Sequence, residues 1–147
     1  MSGISDTFLT DLARFKTFSV ARASSWDRTG GNYDALPIEP HATAVLADLE
    51  GPGIISHVWF TIGCQDRLYL RKLLLRVYWD GEPNPSIETP VGDFFGVGHA
   101  RMASYQCLAF NMSTHNEGNI GGGAAMNCWL PMPFRKRARF EIVNDCD

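Results

Sequence analysis

Residues 72–81, Lys-Leu-Leu-Leu-Arg-Val-Tyr-Trp-Asp-Gly, show the clearest alternation of side chains in the sequence. The odd positions from 73 to 79 are Leu, Leu, Val and Trp, and this period of two predicts a β-strand with one buried face. The Asp-Gly pair that ends the stretch is typical of a tight turn between strands. The Pro-Asn-Pro of residues 83–85 then predicts an extended return through residues 86–90, so a hairpin-like pair of strands is expected.

Three more strands are predicted on either side of this hairpin. Residues 42–50 have strand character and stop at a Gly-Pro-Gly, the strongest turn signal of the chain. Residues 54–62 alternate so that His57 and Trp59 share the face opposite the mostly apolar one. In residues 134–143, apolar side chains alternate with three arginines and a glutamate, which predicts a strand with one solvated face.

Turn-forming residues are abundant, with 14 glycines and 8 prolines among 147 residues, so there is little room for long helices. Several strands with hardly any helix between them favour an all-β fold, an antiparallel sandwich or jelly roll, over a parallel α/β sheet. Apolar residues at three-to-four spacing over residues 7–15 predict one short helix near the N-terminus. We therefore expect an N-terminal helical segment over residues 1–18 and a single β domain over residues 19–147.

Composition excludes several functional classes. Thirteen Lys and Arg against sixteen Asp and Glu give a net charge of −3, so nucleic acid is not an expected partner, and the basic run at residues 135–139 is interpreted as a solvated strand face. No stretch approaches the ~20 apolar residues of a membrane span, and the N-terminus lacks the features of a signal peptide, so a cytoplasmic protein with reduced thiols is expected. The four Cys and four His lack metal-ligand spacing, and neither a metal nor a cofactor is predicted.

The polar segment around residues 26–34 is the first candidate for ligand binding. Carboxylates accept hydrogen bonds from sugar hydroxyls, guanidinium and amide groups donate them, glycines let the backbone come close, and an indole stacks on a sugar face. The segment is equally well explained as a self-hydrogen-bonded turn in which Asp27 pairs with Arg28. The candidate residues are Trp26, Asp27, Arg28, Gly30, Gly31, Asn32 and Asp34.

Two glycine-rich stretches, residues 92–98 and 119–123, are predicted to be loops. Asp93 and His99 are candidates to border a site, although an Asp that caps its own loop is the simpler interpretation of Asp93. No Gly-x-Ser-x-Gly elbow and no Walker loop occur in the sequence, so neither a serine nucleophile nor a nucleotide site is predicted.

Taken in chain order, five segments resemble the N-terminal half of glycoside hydrolase family 172, long known only as a domain of unknown function. The resemblance covers about residues 19–144. It implies a jelly-roll β-sandwich, the first of two in the family, and assembly into trimers or multiples of trimers. The segments are residues 24–32 (Ser-Ser-Trp-Asp-Arg-Thr-Gly-Gly-Asn), 51–53 with the strand around Trp59, 75–82 (Leu-Arg-Val-Tyr-Trp-Asp-Gly-Glu), 90–96 (Pro-Val-Gly-Asp-Phe-Phe-Gly) and 131–136 (Pro-Met-Pro-Phe-Arg-Lys).

The chemistry that the resemblance implies is cleavage or transfer of furanosyl linkages, such as those of arabinofuranosides and fructofuranosides, by a retaining mechanism. That mechanism needs a carboxylate nucleophile and a carboxyl acid/base about 5 Å apart. The family's two catalytic glutamates lie in the second jelly roll, in Glu-Gly-Asp-Glu-like and Gly-Thr-Glu-Asp-Tyr-like motifs that this sequence does not contain. We therefore assign no catalytic residue, and the resemblance implies that residues 27–34 line the sugar pocket or an intersubunit edge.

Two functions remain open at this point. The chain is either the first jelly-roll half of a furanosidase-like glycoside hydrolase, inactive alone, whose partners are a furanosyl carbohydrate, a second jelly-roll domain or chain, and further copies of itself. Alternatively, it is a stand-alone carbohydrate-binding or structural β module, an assembly protein included, without catalysis. A fold by itself does not decide between such functions.

Overall fold

The computed structural model describes residues 13–147. Strands dominate it. Regular helix in this part of the chain is limited to α1 (Tyr69–Lys72), α2 (Val91–Phe94) and a 3-10 turn at Gly98–Ala100. The strands are β1 (Thr43–Glu50), β2 (Gly53–Ile55), β3 (Val58–Thr61), β4 (Leu73–Trp79), β5 (Ile87–Pro90), β6 (Tyr105–Gln106), β7 (Phe110–Thr114), β8 (Ala124–Cys128), β9 (Met132–Phe134) and β10 (Arg137–Asn144).

The strands form two four-stranded antiparallel sheets and a short connecting ribbon. The first sheet has the order β1-β10-β4-β5, the second sheet has the order β3-β8-β7-β6, and β2 pairs with β9 between them. Every strand pair is antiparallel. The predicted all-β class is therefore confirmed.

The inward sides of the two sheets contribute to one hydrophobic core. Leu75 and Val77 of the first sheet and Met126 and Cys128 of the second sheet are fully buried in it. Phe95, which follows α2, packs its ring edge-on against Phe60 of β3 at a centroid distance of 5.6 Å. Burial of apolar side chains between the sheets is the main stabilising term that this architecture provides.

The first three strands and the last three run beside each other in opposite directions. β1 pairs with β10, β2 with β9 and β3 with β8, so this double strand passes from the first sheet into the second. The remaining strands form local pairs: β4 and β5 are a hairpin, and β6, β7 and β8 are a meander.

The strand and turn predicted from residues 72–81 are confirmed. β4 spans Leu73–Trp79 with Leu73, Leu75 and Val77 buried, and β5 returns antiparallel to it. Asp80 and Gly81 both adopt positive φ, as the turn requires. The Asp80 side chain also accepts hydrogen bonds from the backbone amides of residues 135–137, at 2.6 to 3.2 Å, and so ties this turn to the start of β10.

Two predicted strands are wrong as single strands. Residues 54–62 break after β2, because the chain leaves the ribbon at Ser56 and enters the second sheet at Val58; the change of sheet shifts the alternation and leaves Ile54 exposed. Residues 134–143 break between β9 and β10, where the backbone turns around the Asp80 carboxylate. Within β10, Ala138, Phe140 and Ile142 face the core as predicted, whereas Glu141, predicted on the solvated face, is nearly buried.

The remaining expectations from the sequence concern the other strands, the loops, the N-terminal helix and the domain boundaries. Strands β6, β7 and β8 were not predicted, and the predicted loop at residues 92–98 contains most of the one-turn helix α2. In the loop predicted over residues 119–123, Ile120 forms an isolated β-bridge with Arg101 and the other residues are irregular. Most of the helix predicted over residues 7–15 lies outside the described residues, and residues 13–18 are not helical. The domain boundaries stay a prediction. In residues 13–147, no helix is long and apolar enough to cross a membrane.

Candidate functional site

The outward side of the second sheet carries a row of paired side chains that crosses all four strands. Trp59 of β3 pairs with Asn127 of β8, Asn127 with Asn111 of β7, and Asn111 with Gln106 of β6. Directly paired residues of antiparallel strands lie on the same face of a sheet. We call these four residues, with His57 and Trp129 at the edge beside them, the tryptophan–amide face.

Hydrogen bonds join three members of this face into a chain. His57 Nε2 lies 2.9 Å from Asn127 Oδ1, and Asn127 Nδ2 donates to Asn111 Oδ1 at 2.8 Å. Because an amide oxygen only accepts, this contact is a hydrogen bond in the His57 tautomer that carries its proton on Nε2. The amide of Asn127 is therefore held in one orientation between its two neighbours.

Two indole rings flank the chain of amides. Trp59 is 51% exposed and Trp129 is 42% exposed, although both belong to or adjoin strands whose other side is buried. The imidazole of His57 stacks on Trp129 with a centroid distance of 5.3 Å and an interplanar angle of 9°. The face thus presents flat aromatic surface next to oriented amide groups, which is how protein sites combine apolar contact with polar specificity.

The four strand residues of this face carry no charge. Beside the first row lies a second one, made of Thr61, Ala125 and Ser113, and no residue that faces outward on the described strands of this sheet is ionised. A neutral, hydroxyl- and amide-bearing surface suits an uncharged polar ligand better than a phosphate or a carboxylate ligand.

The outward side of the first sheet is different in kind. Arg137 contacts Asp48 with Nε 2.6 Å from Oδ1, Arg139 contacts Glu141 at 2.7 Å, and Arg76 contacts Glu88 at 2.8 Å. We call this set the charged face. The Arg137 side chain, through its hydrogen bond, lowers the pKa of the Asp48 carboxyl below its usual value. Each arginine of the set is already paired within the sheet.

The predicted segment at residues 26–34 forms an exposed, internally bonded turn. Asp27 Oδ1 accepts hydrogen bonds from the hydroxyl and the amide of Thr29, and Asp27 Oδ2 accepts one from the amide of Tyr33. These hydrogen bonds, that of the Thr29 hydroxyl first, lower the pKa of Asp27. The amide of Asp27 in turn donates to Asp34 Oδ1 at 2.7 Å. Asp27 does not pair with Arg28; the Arg28 guanidinium lies over the Trp26 ring, 5.2 Å from its centroid.

Two positions of this turn require glycine for structural reasons. Gly30 adopts φ +79°, and a Cβ at Gly31 would lie 2.8 Å from Asp27 Oδ2, so a side chain there would disturb the carboxylate that organises the turn. Asn32 also has positive φ, which asparagine tolerates better than most residues. The seven candidate residues of the turn are therefore brought together by the structure.

The turn lies in an arm of the chain that does not pack on the sheets. Every residue from 13 to 37 is exposed except Asp27, which is half-buried. The arm joins the body at Ile38, where Asn144 Nδ2 donates to the carbonyl oxygens of Ile38 and Glu39 at 2.8 and 3.2 Å. Several apolar side chains of the arm are consequently in solvent: Phe15, Phe18, Val20, Trp26, Tyr33 and Leu36.

Asp93 and His99 do not join the turn. Asp93 lies in α2 and forms an ion pair with Arg71 of α1. His99 is an exposed residue with φ of 60° in the 3-10 turn. Across residues 13–147, no group of three His, Cys, Asp or Glu side chains is placed to hold a metal ion.

The sequence placed two of the six residues of the tryptophan–amide face together, without assigning them to a site. The alternation of residues 54–62 places His57 and Trp59 on one side, and both are exposed in the structure. The other four, Gln106, Asn111, Asn127 and Trp129, were missed, because strands β6, β7 and β8 were not predicted and nothing in the sequence pairs β8 with β3.

A comparison with protein-family models gives a match over most of the chain. The model described as GH172 domain-like matches residues 32–147. The chain belongs to this family. The match confirms the resemblance noted in the sequence and establishes a relationship to a glycoside hydrolase family; it includes Asn32, Asp34 and the whole tryptophan–amide face, whereas Trp26 to Gly31 precede it. No curated protein matches the chain.

Proposed function

We propose that this GH172 domain-like chain is a carbohydrate-binding jelly roll, and that the tryptophan–amide face binds a furanosyl sugar. The observation that carries the proposal is the neutral row Trp59–Asn127–Asn111–Gln106 with its hydrogen-bonded amides and exposed indoles. An indole covers the apolar face of a sugar ring, while amides donate to and accept from its hydroxyls.

Two four-stranded antiparallel sheets and the double strand that passes between them support the jelly-roll part of the proposal. A double-sheet jelly roll has eight strands arranged in this two-layer manner.

The role in catalysis follows from what the face carries. Retaining hydrolysis of a glycoside needs two carboxyl groups about 5 Å apart, and the outward residues of the second sheet include no Asp or Glu. We therefore propose that the chain supplies sugar contacts, and that the nucleophile and the acid/base belong to a second jelly-roll domain or chain in a furanosidase-type enzyme.

Truncation of Trp59 tests the binding role. We expect Trp59→Ala to lower the affinity for arabino- and fructofuranosyl oligosaccharides at least about tenfold, because it removes the exposed indole from the row. Isothermal titration calorimetry measures this effect. Val45→Ala, which shortens an exposed apolar side chain on the first sheet, is the matched control and should bind like the wild type.

Two results would contradict the proposal. Equal affinity of Trp59→Ala and Val45→Ala would exclude the tryptophan–amide face as the sugar site. Hydrolysis of aryl furanosides by the chain alone would overturn the assignment of the catalytic carboxylates to another domain.

We also propose that the turn of residues 26–34 completes the sugar site from its exposed arm. Its ring and guanidinium, Trp26 and Arg28, are presented by a turn that Asp27 holds together. Asp27→Ala is expected to lower furanosyl affinity more than about tenfold while the melting temperature barely changes, since the arm does not pack on the core. Unchanged affinity with unchanged folding would reject this role, and Asp145→Ala, another exposed carboxylate, is the control.

The exposed arm also supports the proposal of a homo-oligomer, a trimer or a multiple of it. An arm with several aromatic and aliphatic side chains in solvent is typical of a segment that another copy covers. Light scattering tests this proposal: a concentration-dependent rise in mass supports it, and a monomer at all concentrations contradicts it.

A further inference from the structure

Two cysteines that are far apart in the sequence meet in the structure. Sγ of Cys64 lies 3.8 Å from Sγ of Cys146, across a separation of 82 residues. Cys64 is exposed in the connection between β3 and α1, whereas Cys146, two residues after β10, is only 3% exposed. A disulfide bond is about 2 Å long, so the two sulfurs, already in contact, have to approach further for the bond to form.

The backbone around Cys146 is fixed by several hydrogen bonds. Its amide donates to Asn144 Oδ1 at 3.0 Å, and the amide of Asp145 donates to the carbonyl oxygen of Lys72 at 3.0 Å. The contact between the two sulfurs therefore does not depend on a free chain end.

A salt bridge already links the same two segments. Lys72 Nζ lies 2.6 Å from Asp66 in the Cys64 connection and 2.8 Å from Asp147 beside Cys146. This three-residue bridge holds the segments together without a covalent bond, which lowers the entropy lost when the thiols join.

We propose that Cys64 and Cys146 are a redox-active pair that forms an intramolecular disulfide when it meets a small-molecule disulfide such as oxidised glutathione. The bond would fasten the segment after β10 to the connection that precedes α1. This site is independent of the sugar-binding role proposed above.

The reaction consists of two exchanges. The Cys64 thiolate attacks one sulfur of oxidised glutathione, so that the glutathione disulfide bond breaks, a Cys64–glutathione bond forms and one glutathione thiolate leaves. The Cys146 thiol then gives up its proton as its sulfur attacks the Cys64 sulfur, which breaks the Cys64–glutathione bond and expels the second glutathione. Two protein thiols are oxidised, one glutathione disulfide is reduced to two thiols, and the two cysteine protons end on the released glutathiones.

Exposure sets the order of these steps. Burial, followed by the contact with Cys64, raises the pKa of Cys146, so its thiol is protonated at neutral pH and shielded from solvent. Cys64 is open to the oxidant and reacts first, and Cys146 resolves the mixed disulfide because its sulfur is already adjacent.

The test is incubation of the reduced chain with oxidised glutathione, followed by alkylation and peptide mass mapping. We expect a peptide pair linked through Cys64 and Cys146, an unmodified Cys128, and a melting temperature that rises by about 5 °C or more and returns on reduction. Cys107→Ser removes the other exposed cysteine and should form the same bond, whereas Cys64→Ser should not form it.

The mapping of the wild-type chain decides the outcome even if Cys146→Ser does not fold. A Cys64 that remains a stable mixed disulfide while Cys146 stays reduced would overturn the proposal. A crosslink between Cys64 and Cys107 would also overturn it. So would a melting temperature, measured without sugar, that stays the same after the pair is completely oxidised.

Discussion

The outward faces of the two sheets are built on the same backbone pattern and differ in what their side chains bind. On the charged face, Arg76, Arg137 and Arg139 each contact a carboxylate of the same sheet. On the tryptophan–amide face, the amides contact one another, and about half of each indole surface stays in solvent.

On the first surface the charged groups are already paired with one another. On the second, apolar ring surface remains exposed and could contact a ligand. Ion pairs on the charged face satisfy their own hydrogen-bonding groups, so a ligand would have to break them. Although His57 stacks on Trp129, both indoles keep about half of their surface in solvent, and apolar surface beside oriented polar groups is typical of a binding site. We therefore propose that a ligand binds on the second sheet and not on the first.

The largest effect on stability is expected at the end of the charged face. Asp80→Ala removes the carboxylate that accepts hydrogen bonds from the amides of residues 135–137, so three donors lose their acceptor. The melting temperature should fall by about 5 °C or more, while sugar affinity is unchanged. Differential scanning calorimetry measures this, with the exposed neighbour Glu82→Ala as control. A loss of sugar affinity without a loss of stability would reverse the assignment.

Asn127→Ala on the tryptophan–amide face is expected to change sugar affinity more than stability. The variant leaves His57 Nε2 and Asn111 Oδ1 without their shared partner, so the amides lose their fixed orientation. Sugar affinity should fall about tenfold, with a smaller change in melting temperature than Asp80→Ala produces. Asn84→Ala, at an exposed position between β4 and β5, controls for the loss of an amide. Wild-type affinity for Asn127→Ala would remove this residue from the site.

The charged face should also contribute to the loss of stability as the pH falls. Because the pKa of Asp48 is lowered in the folded chain, its contribution to stability is present above the unfolded value of 3.8 and is lost as pH falls through the lower folded value. Asp48→Asn should therefore lose less melting temperature than the wild type between about pH 6 and pH 3. Asn84→Ala, which changes an exposed amide outside this pair, should keep the wild-type dependence. If the melting temperature of Asp48→Asn falls with pH as steeply as that of the wild type, this explanation is wrong.

The smallest effect is expected from Arg76→Gln. The Arg76–Glu88 pair is partly exposed, and exposed ion pairs contribute about 0–1 kcal/mol. Chemical denaturation should place the variant within that range, and a double variant with Glu88→Gln should show little additional loss. A destabilisation of several kcal/mol would mean that the charged face is more than a set of exposed pairs.

The sequence predicts those strands in which buried and exposed positions differ clearly in residue type. In β4, the alternation at residues 73–79 is clear because one side is buried, and the strand is found where expected. In β8, Ala124–Cys128, small and polar side chains weaken the alternation, so the strand was missed. The breaks at Ser56 and Arg135 depend on which distant strand each half joins, and local alternation carries no such information.

The candidate site shows the same limit. The turn at Asp27 lies within nine residues, so its polar residues were found together, but its main contacts are to Thr29 and Tyr33 and not to Arg28. The tryptophan–amide face draws on residues from 57 to 129, and only the register of β3, β8 and β7 places them in one row. The meeting of Cys64 and Cys146 is likewise a product of the fold.

The central claim, that ligand binding belongs to the second sheet, is tested most directly by nuclear magnetic resonance of side-chain N–H groups during titration with a furanosyl oligosaccharide. The account predicts shifts in the indole signals of Trp59 and Trp129 and in the amide signals of Asn111 and Asn127, with unmoved guanidinium signals from Arg76, Arg137 and Arg139. Shifts confined to the arginine signals, or saturation of binding without any change in the indole and amide signals, would contradict it.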